Sequence, residues 1–515
     1  MTEPTPGPPA PLAPPPGLLA TRRLTVLDEL GLPYDLVPSP TPIGSWAVLS
    51  ARGRGCLHWF TGNGNETATG WRAGTLRIWG HIAPESEVAE LRSRLPGRWT
   101  AQIPILDSEG SERAWIWRSA EGSTILPFDP DELIANLRTE RYQQIGSARR
   151  MSVSAFARRV YYRIRPLLPR PAQIALRRAF SRVQARTAFP AWPVEPALHD
   201  LVDLVRQAVA DAAGYAVPYI EPWPSGYSWA LVLTHDVETE FGARAVDLVR
   251  GVEATAGYRS SWNLVPERYP VPDELVRDLK EAGCEVGVHG LRHDGRDLES
   301  LRTLECRLPE IRRWASRWGA AGFRSPATHR VWSWMPRLGF DYDSSYPDTD
   351  PYEPMGGGCC SWLPFFNDEM VELPITLPQD HTVFVILRRD ESLWRAKAEL
   401  LRGRGGMALA ITHPDYMLAG GRLDAYRRLL DHFGDDVTAW KALPCEVSVW
   451  WRRRAATSLV FANGRWQPVG PGADEVAIGW VRPTGATPGP HGERLGLTDT
   501  PPTPRRVDGA GAIVG

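Results

Sequence analysis

The chain has 515 residues, 43% hydrophobic and 23% charged, with a formal net charge of -1 at pH 7. That balance excludes a wholly disordered polypeptide and provides no global field to draw in nucleic acid. The length exceeds one ordinary core and asks for about three domains, or one large barrel with additions. Six cysteines without a Cys-x-x-Cys spacing exclude a disulfide framework, leaving adjacent Cys359 and Cys360 as small residues of a Gly-rich loop. No apolar run approaches the ~20 residues needed to cross a bilayer.

In chain order, residues 1–17 form a Pro-rich tail expected to be disordered. It has neither the basic nor the apolar region of a secretion signal, so the expected location is the cytoplasm, with membrane contact limited to the periphery. Residues 18–145 read as an N-terminal α/β or α+β domain of unassigned function. Strand candidates SWAVLS, TLRIWG, AWIWRS and STILPF alternate there with helical ESEVAELRSRL and DPDELIANLRTERY.

Residues 146–200 form an Arg-rich helical linker. Between Arg149 and Arg186 lie eleven arginines and no Asp or Glu, interspersed with Tyr161, Leu168, Ile174 and Phe180. Such a segment suits an arm docked on its own protein or an anionic membrane surface. Nucleic acid is not an expected partner, and nothing in the sequence sets the oligomeric state.

Residues 201–445 are the most regular stretch. Apolar strand candidates WALVLT, SSWNLV, CEVGVH, AGFRSP, FDYDSS, VELPIT, TVFVIL and MALAIT alternate with helical patterns, except that FDYDSS, VELPIT and TVFVIL follow one another directly. Near-continuous apolar strands indicate parallel strands covered on both faces. Seven or so such units predict an α/β fold, an irregular (β/α) barrel. Residues 446–482, with EVSVWWRRR, TSLVFANGRW and EVAIGWVRP, predict a small β-rich extension. Residues 483–515 predict a flexible tail.

The polar residues of the barrel stretch sit at strand ends. Thr234, His235, Asp236 and Glu238 follow ALVL; His289 and His293 follow CEVGV. Arg324 ends AGF, Asp341 and Asp343 flank the next short strand, and His413 ends MALAIT. In a β/α barrel these positions share the carboxyl-terminal rim, where active sites are built. The i,i+4 spacing of His289 and His293 puts both imidazoles on one face of a helix. With one acidic side chain they make a two-histidine, one-carboxylate site that keeps a position open for water.

This constellation resembles the polysaccharide deacetylase family, the NodB-like metal-dependent carbohydrate esterases, over about residues 229–431. The resemblance rests on Thr234-His235-Asp236-Val237-Glu238, His289-Gly290-Leu291-Arg292-His293, Arg324-Ser325-Pro326 and Ile411-Thr412-His413. It implies a barrel of the glycoside hydrolase/deacetylase type. It assigns Asp236 as catalytic base, Glu238, His289 and His293 as ligands of a divalent metal, Arg324 as the group steadying the base, and His413 as general acid. The Asp orienting His413 would be Asp341 or Asp343. Glu238 is one methylene longer than the family's usual Asp, and Gly290 replaces its hydroxyl residue.

The activity so implied is hydrolysis of a carbon–nitrogen (non-peptide) or ester bond, removing acetyl groups from a saccharide. Zinc is the first choice of metal. Without a secretion signal, the expected substrate is a cytoplasmic sugar, such as a lipid-linked or nucleotide-linked one, unless the protein leaves the cell by a route the sequence does not show. Trp262, Trp332, Trp334 and Trp362 are candidates for stacking on a sugar. Two rivals stand beside this reading: an iron(II) oxygenase using the same three ligands, and an inactive deacetylase-like carbohydrate-binding or scaffold protein.

Overall fold

The structure, a computed structural model, describes residues 17–38, 45–51, 54–62, 68–145 and 170–484, with only the backbone of 170–175 and 177. The Pro-rich start, the flexible-tail expectation beyond 484, and Tyr161 and Leu168 lie outside the described residues.

Two nine-stranded sheets organise the chain. The first contains β1 (Leu18–Ala20), β2 (Asp35–Leu36), β3 (Trp46–Ala51), β4 (Cys56–Phe60), β5 (Thr69–Ala73), β6 (Leu76–Gly80), β7 (Trp99–Leu106), β8 (Glu112–Ser119) and β9 (Thr124–Leu126). Their spatial order is β2-β1-β3-β4-β9-β8-β7-β5-β6. Only β1–β2 and β4–β9 are parallel; the other pairs are antiparallel. Alternating burial along β3 and β6 gives one apolar face. Leu49, Trp59 and Ile78 on it meet Leu133 and Leu137 of helix Pro130–Arg138.

Helix Ala197–Ala213 packs on this first sheet. Its Leu198, Leu201, Val205 and Val209 join the same core. After it, β10 (Val217–Pro224) leads into the second half.

There, β11 (Trp229–Val237), β12 (Ser261–Leu264), β13 (Glu285–Val288), β14 (Gly322–Phe323), β15 (Tyr342–Asp343), β16 (Phe365–Asn367), β17 (Met370–Glu372) and β18 (Met407–Thr412) run in the order β16-β17-β15-β14-β13-β12-β11-β18. β19 (Ala439–Lys441) adds to the start of β11. Every pair but β16–β17 is parallel. All nine residues of β11 are buried, as a central strand covered on both faces requires.

The expected irregular (β/α) barrel takes the form of an open half-barrel sheet. Between Glu372 and β18 there is no strand ladder among the described residues. The gap is spanned by Leu377 N–H donating to the Leu409 carbonyl (3.0 Å). The Thr376 hydroxyl donates to Met407 O (2.7 Å) and accepts from Leu409 N (2.8 Å). A side chain thus replaces part of the backbone pairing.

Two strand expectations are also corrected. TVFVIL falls in a π-helix, His381–Ile386, capped by Asp380 and burying Thr382, Val383 and Ile386. EVSVWWRRR lies in helix Pro444–Ala455. Pro444 occupies its first turn, Glu446 accepts the Leu443 N–H (2.8 Å), and buried Val447, Trp450, Trp451 and Arg454 follow helical spacing. The rest of the extension is β-rich: β20 (Ser458–Ala462), β21 (Arg465–Val469) and β22 (Val476–Val481). Asn463 and Gly464 join β20 to β21 with positive φ at both residues, as a two-residue hairpin turn needs. β22 pairs with β10.

The two halves are locked by buried polar groups. Arg330 grips Glu140 in a bidentate pair (2.6 and 2.7 Å), and Tyr142 exchanges hydrogen bonds with the backbone of Gly358. Cys359 and Cys360 beside it are buried, which pushes both thiols well above their usual range. No described helix is long and apolar enough to cross a membrane.

Candidate metal centre

The alternation of β11 sorts its terminal residues between two faces. Thr234, Asp236 and Glu238 share one side; His235 points to the other. His235 is fully buried, stacked on Trp262 (4.1 Å between ring centroids), with Nε2 against Glu253 (2.6 Å) and Nδ1 against Thr412 (2.7 Å). It belongs to the core beneath the site.

Asp236 sits at the centre of the other face. Its Oδ1 accepts from Asn263 Nδ2 (2.9 Å), on neighbouring β12, and from Arg324 Nη1 (3.3 Å). Arg324, 1% exposed, is itself immobilised by Ser344 O (2.7 Å), Ser344 Oγ (2.8 Å) and Thr234 Oγ1 (2.8 Å). Burial alone would raise the Asp236 carboxyl. The neighbouring His289, Arg324 and His413 side chains, and the Asn263 hydrogen bond, outweigh it and hold the group below its ordinary range. A Cβ at position 287 would lie 2.2 Å from Asn263 Oδ1, so Gly287 gives Asn263 its place.

Glu238, His289 and His293 converge: one ligand atom from each lies within 4.8 Å of the others. Glu238 Oε1 is 2.8 Å from His293 Nε2 and 3.9 Å from His289 Nε2. Burial would raise Glu238, but the surrounding imidazoles hold it well below its ordinary range. The histidines reach this point from a loop rather than from one face of a helix. Gly290 and His293 both have φ in the left-handed region. A Cβ at 290 would meet Asp297 Oδ2 at 2.5 Å and Pro326 Cγ at 2.6 Å. Glycine is therefore demanded by geometry at the position where the family carries a hydroxyl residue.

The donor set fits a divalent metal. His289 Nδ1 faces the Arg324 carbonyl (3.1 Å), so that nitrogen carries the proton and Nε2 presents a lone pair to the centre. The Nε2 atoms of both histidines are buried without a well-formed hydrogen bond. The short His293–Glu238 approach therefore does not have the geometry of a satisfied hydrogen bond.

His413 lies on the other side of Glu238, with Nε2 3.5 Å from Oε1. Its orienting carboxylate is Asp380, which accepts the His413 backbone N–H (2.7 Å) and faces Nδ1 (2.7 Å). Burial opposes the imidazolium, yet Asp380 and Glu238 together push His413 well above the usual range.

Asp341 and Asp343 do not meet His413. Asp341 is exposed, and its carbonyl is bonded by Arg452. Asp343 is buried, bonded by Ser345 Oγ (2.7 Å), and raised by burial to about 6 beside Glu372. Of the aromatic candidates, Trp262 and Trp362 are core residues, the latter stacked on His199 (3.7 Å). Trp332 and Trp334 are half-buried.

The sequence reading missed Asp380 and Asn263. Reading TVFVIL as a strand put Asp380 at its amino end, away from the site; as the cap of a π-helix it turns toward His413. Asn263 lies inside a short apolar strand and carries no motif signal.

No family model matches this chain, and no curated protein matches it. Among solved structures, a protein assigned as a polysaccharide deacetylase from Mycobacterium smegmatis is similar, with 21% identity and a TM-score of 0.39, covering 47% of this chain and 97% of its own. PuuE allantoinase matches with 18% identity and a TM-score of 0.37, covering 45% of this chain and 93% of its own. A protein from Pseudomonas aeruginosa PAO1, also assigned as a polysaccharide deacetylase, matches with 19% identity, a TM-score of 0.37 and the same coverages.

Proposed function

We propose that this chain is a metal-dependent hydrolase that removes acetyl groups from a saccharide by amide or ester cleavage. The observation that carries the reading is the placement of two independently anchored groups, Asp236 and His413, each within 4 Å of one ligand cluster. Glu238, His289 and His293 would hold the ion, with zinc favoured by two nitrogens and a carboxylate oxygen. When bound, such an ion supplies Lewis acidity toward the acyl carbonyl and acidifies water.

The chain's own residues supply the proton transfers. Asp236, kept ionised by Arg324 and Asn263, takes a proton from the attacking water at its Oδ2. His413, kept protonated by Asp380, donates from Nε2 to the departing amine or hydroxyl. Water oxygen bonds to the acyl carbon, the C–N or C–O bond breaks, and acetate and the free saccharide leave. An oxygenase using the same ligands has no need for this acid–base pair. The saccharide rests on the motif resemblance.

The test is acetate release from N- and O-acetylated hexosamine oligomers by the zinc-loaded protein. Asp236→Asn should lower it about 10^2- to 10^4-fold with the metal retained. If no acetylated saccharide yields acetate, the reading fails and a carbohydrate-binding module takes its place.

A further inference from the structure

We infer that the exposed side of the helix Arg170–Gln184 docks on an anionic lipid bilayer. One side of this helix is seated on the protein: Ser181 is buried, Arg178 Nε donates to Val385 O (2.9 Å), and Gln184 Nε2 to Glu353 O (3.4 Å). The opposite side presents Leu176, Phe180 and Val183, which are 46%, 49% and 59% exposed. Their i, i+4, i+7 spacing makes one apolar stripe.

The stripe's surroundings match a lipid surface. Arg182 and Arg186 are exposed beside it, no Asp or Glu occurs from 170 to 186, and exposed Arg388 and Arg389, followed by one exposed acid, Asp390, come after the π-helix on which it rests. Apolar side chains entering the interface while flanking arginines meet phosphates is the pattern of an interfacial helix.

The helix that carries the stripe rests on an element that leads from the site. The π-helix beneath it starts directly after Asp380. The rings of His381 and His413 lie 5.4 and 5.1 Å from Tyr416. Two residues on, Leu418 is 39% exposed, and Phe241, in helix Glu240–Thr255, is 60% exposed. That helix is tied to the Tyr416 segment by Thr239 Oγ1 donating to Asp415 Oδ2 (3.3 Å). Exposed apolar side chains thus recur on three elements that are linked, directly or through the π-helix, to the His413 segment. Such docking would turn the site toward saccharide carried on lipid, a consequence that rests on the function proposed above; the docking does not.

Co-sedimentation of the full chain with vesicles tests this without any catalytic step. Binding is expected to equal parts of phosphatidylglycerol and phosphatidylcholine at low salt, and about tenfold weaker with phosphatidylcholine alone. Phe180→Asp with Val183→Asp should abolish it. The milder Phe180→Ser should weaken it at unchanged circular dichroism. Val437→Asp, an exposed position beside β19 at the opposite end of the sheet, should leave it intact. Wild type failing to bind the anionic vesicles, the double variant binding like wild type, or Val437→Asp losing as much would each overturn the docking.

Discussion

Both halves of this molecule bury histidines, and only one half gathers them. In the first sheet His58 is 5% exposed, and burial drives it down to about 4; it is a neutral core residue. His199 is pressed on Trp362 and accepts the Trp362 N–H at 3.0 Å. In the second half His289, His293 and His413 meet around one carboxylate. The difference lies in strand direction. Parallel strands place all their carboxyl ends on one edge, so β11, β13, β14 and β18 deliver their terminal residues to one place. In a mostly antiparallel sheet successive ends alternate between edges, and polar residues there do not accumulate. A buried histidine alone signals little; a bare ring nitrogen aimed at a shared point signals a ligand.

The largest expected effect tests that contrast directly. The protein should carry about one zinc per chain, and the double variant His289→Ala, His293→Ala should carry almost none. His58→Phe should retain the metal in full. Elemental analysis checks both, and zinc retained in the double variant would remove the distinction between the halves.

A second experiment separates the halves mechanically. Arg330 is fully buried and its pairing with Glu140 crosses between them. Arg330→Met leaves the Glu140 carboxylate without its cation, at a cost of about 3–5 kcal/mol. Denaturant unfolding should show that loss, with the two halves melting apart; an unchanged single transition would mean their other contacts suffice.

The smallest effect sharpens the role of the acid. His413 is raised in the folded protein, so it is protonated at neutral pH and loses its proton only as pH climbs through that raised value. Asp380→Asn removes the main support for the charge. The alkaline limb of the acetate-release profile should move to lower pH by about one unit or more. A limb that stays in place would show that another group sets it.

Much of the second half was legible because its signals are local. Apolar runs with polar residues at their ends define β11, β13 and β18. Strand candidates of the first sheet coincide with β3, β6, β8 and β9 for the same reason. The side taken by Asp236 and Glu238 depended on how the chain turns past Val237, where β11 ends. The Pro444 start and helical spacing of Val447, Trp450 and Trp451 were also present in the sequence, but a run of β-formers concealed them.

Other features depended on contacts between distant segments. His289 and His293 share a spacing that a helix would satisfy, yet Asp297 and Pro326 crowd residue 290 and force a left-handed loop. Asp380 became the partner of His413 only when the Thr382–Ile386 segment packed as a π-helix under Arg178. Asp343 looked equivalent in sequence but was turned toward Ser345 and Glu372. Sequence by itself determined which chemical groups arrive at the strand ends, because pleat and hydrophobic period are properties of neighbouring residues. Tertiary structure alone decided which of them touch, because loop path and the gap bridged by Thr376 depend on packing between elements far apart in the chain.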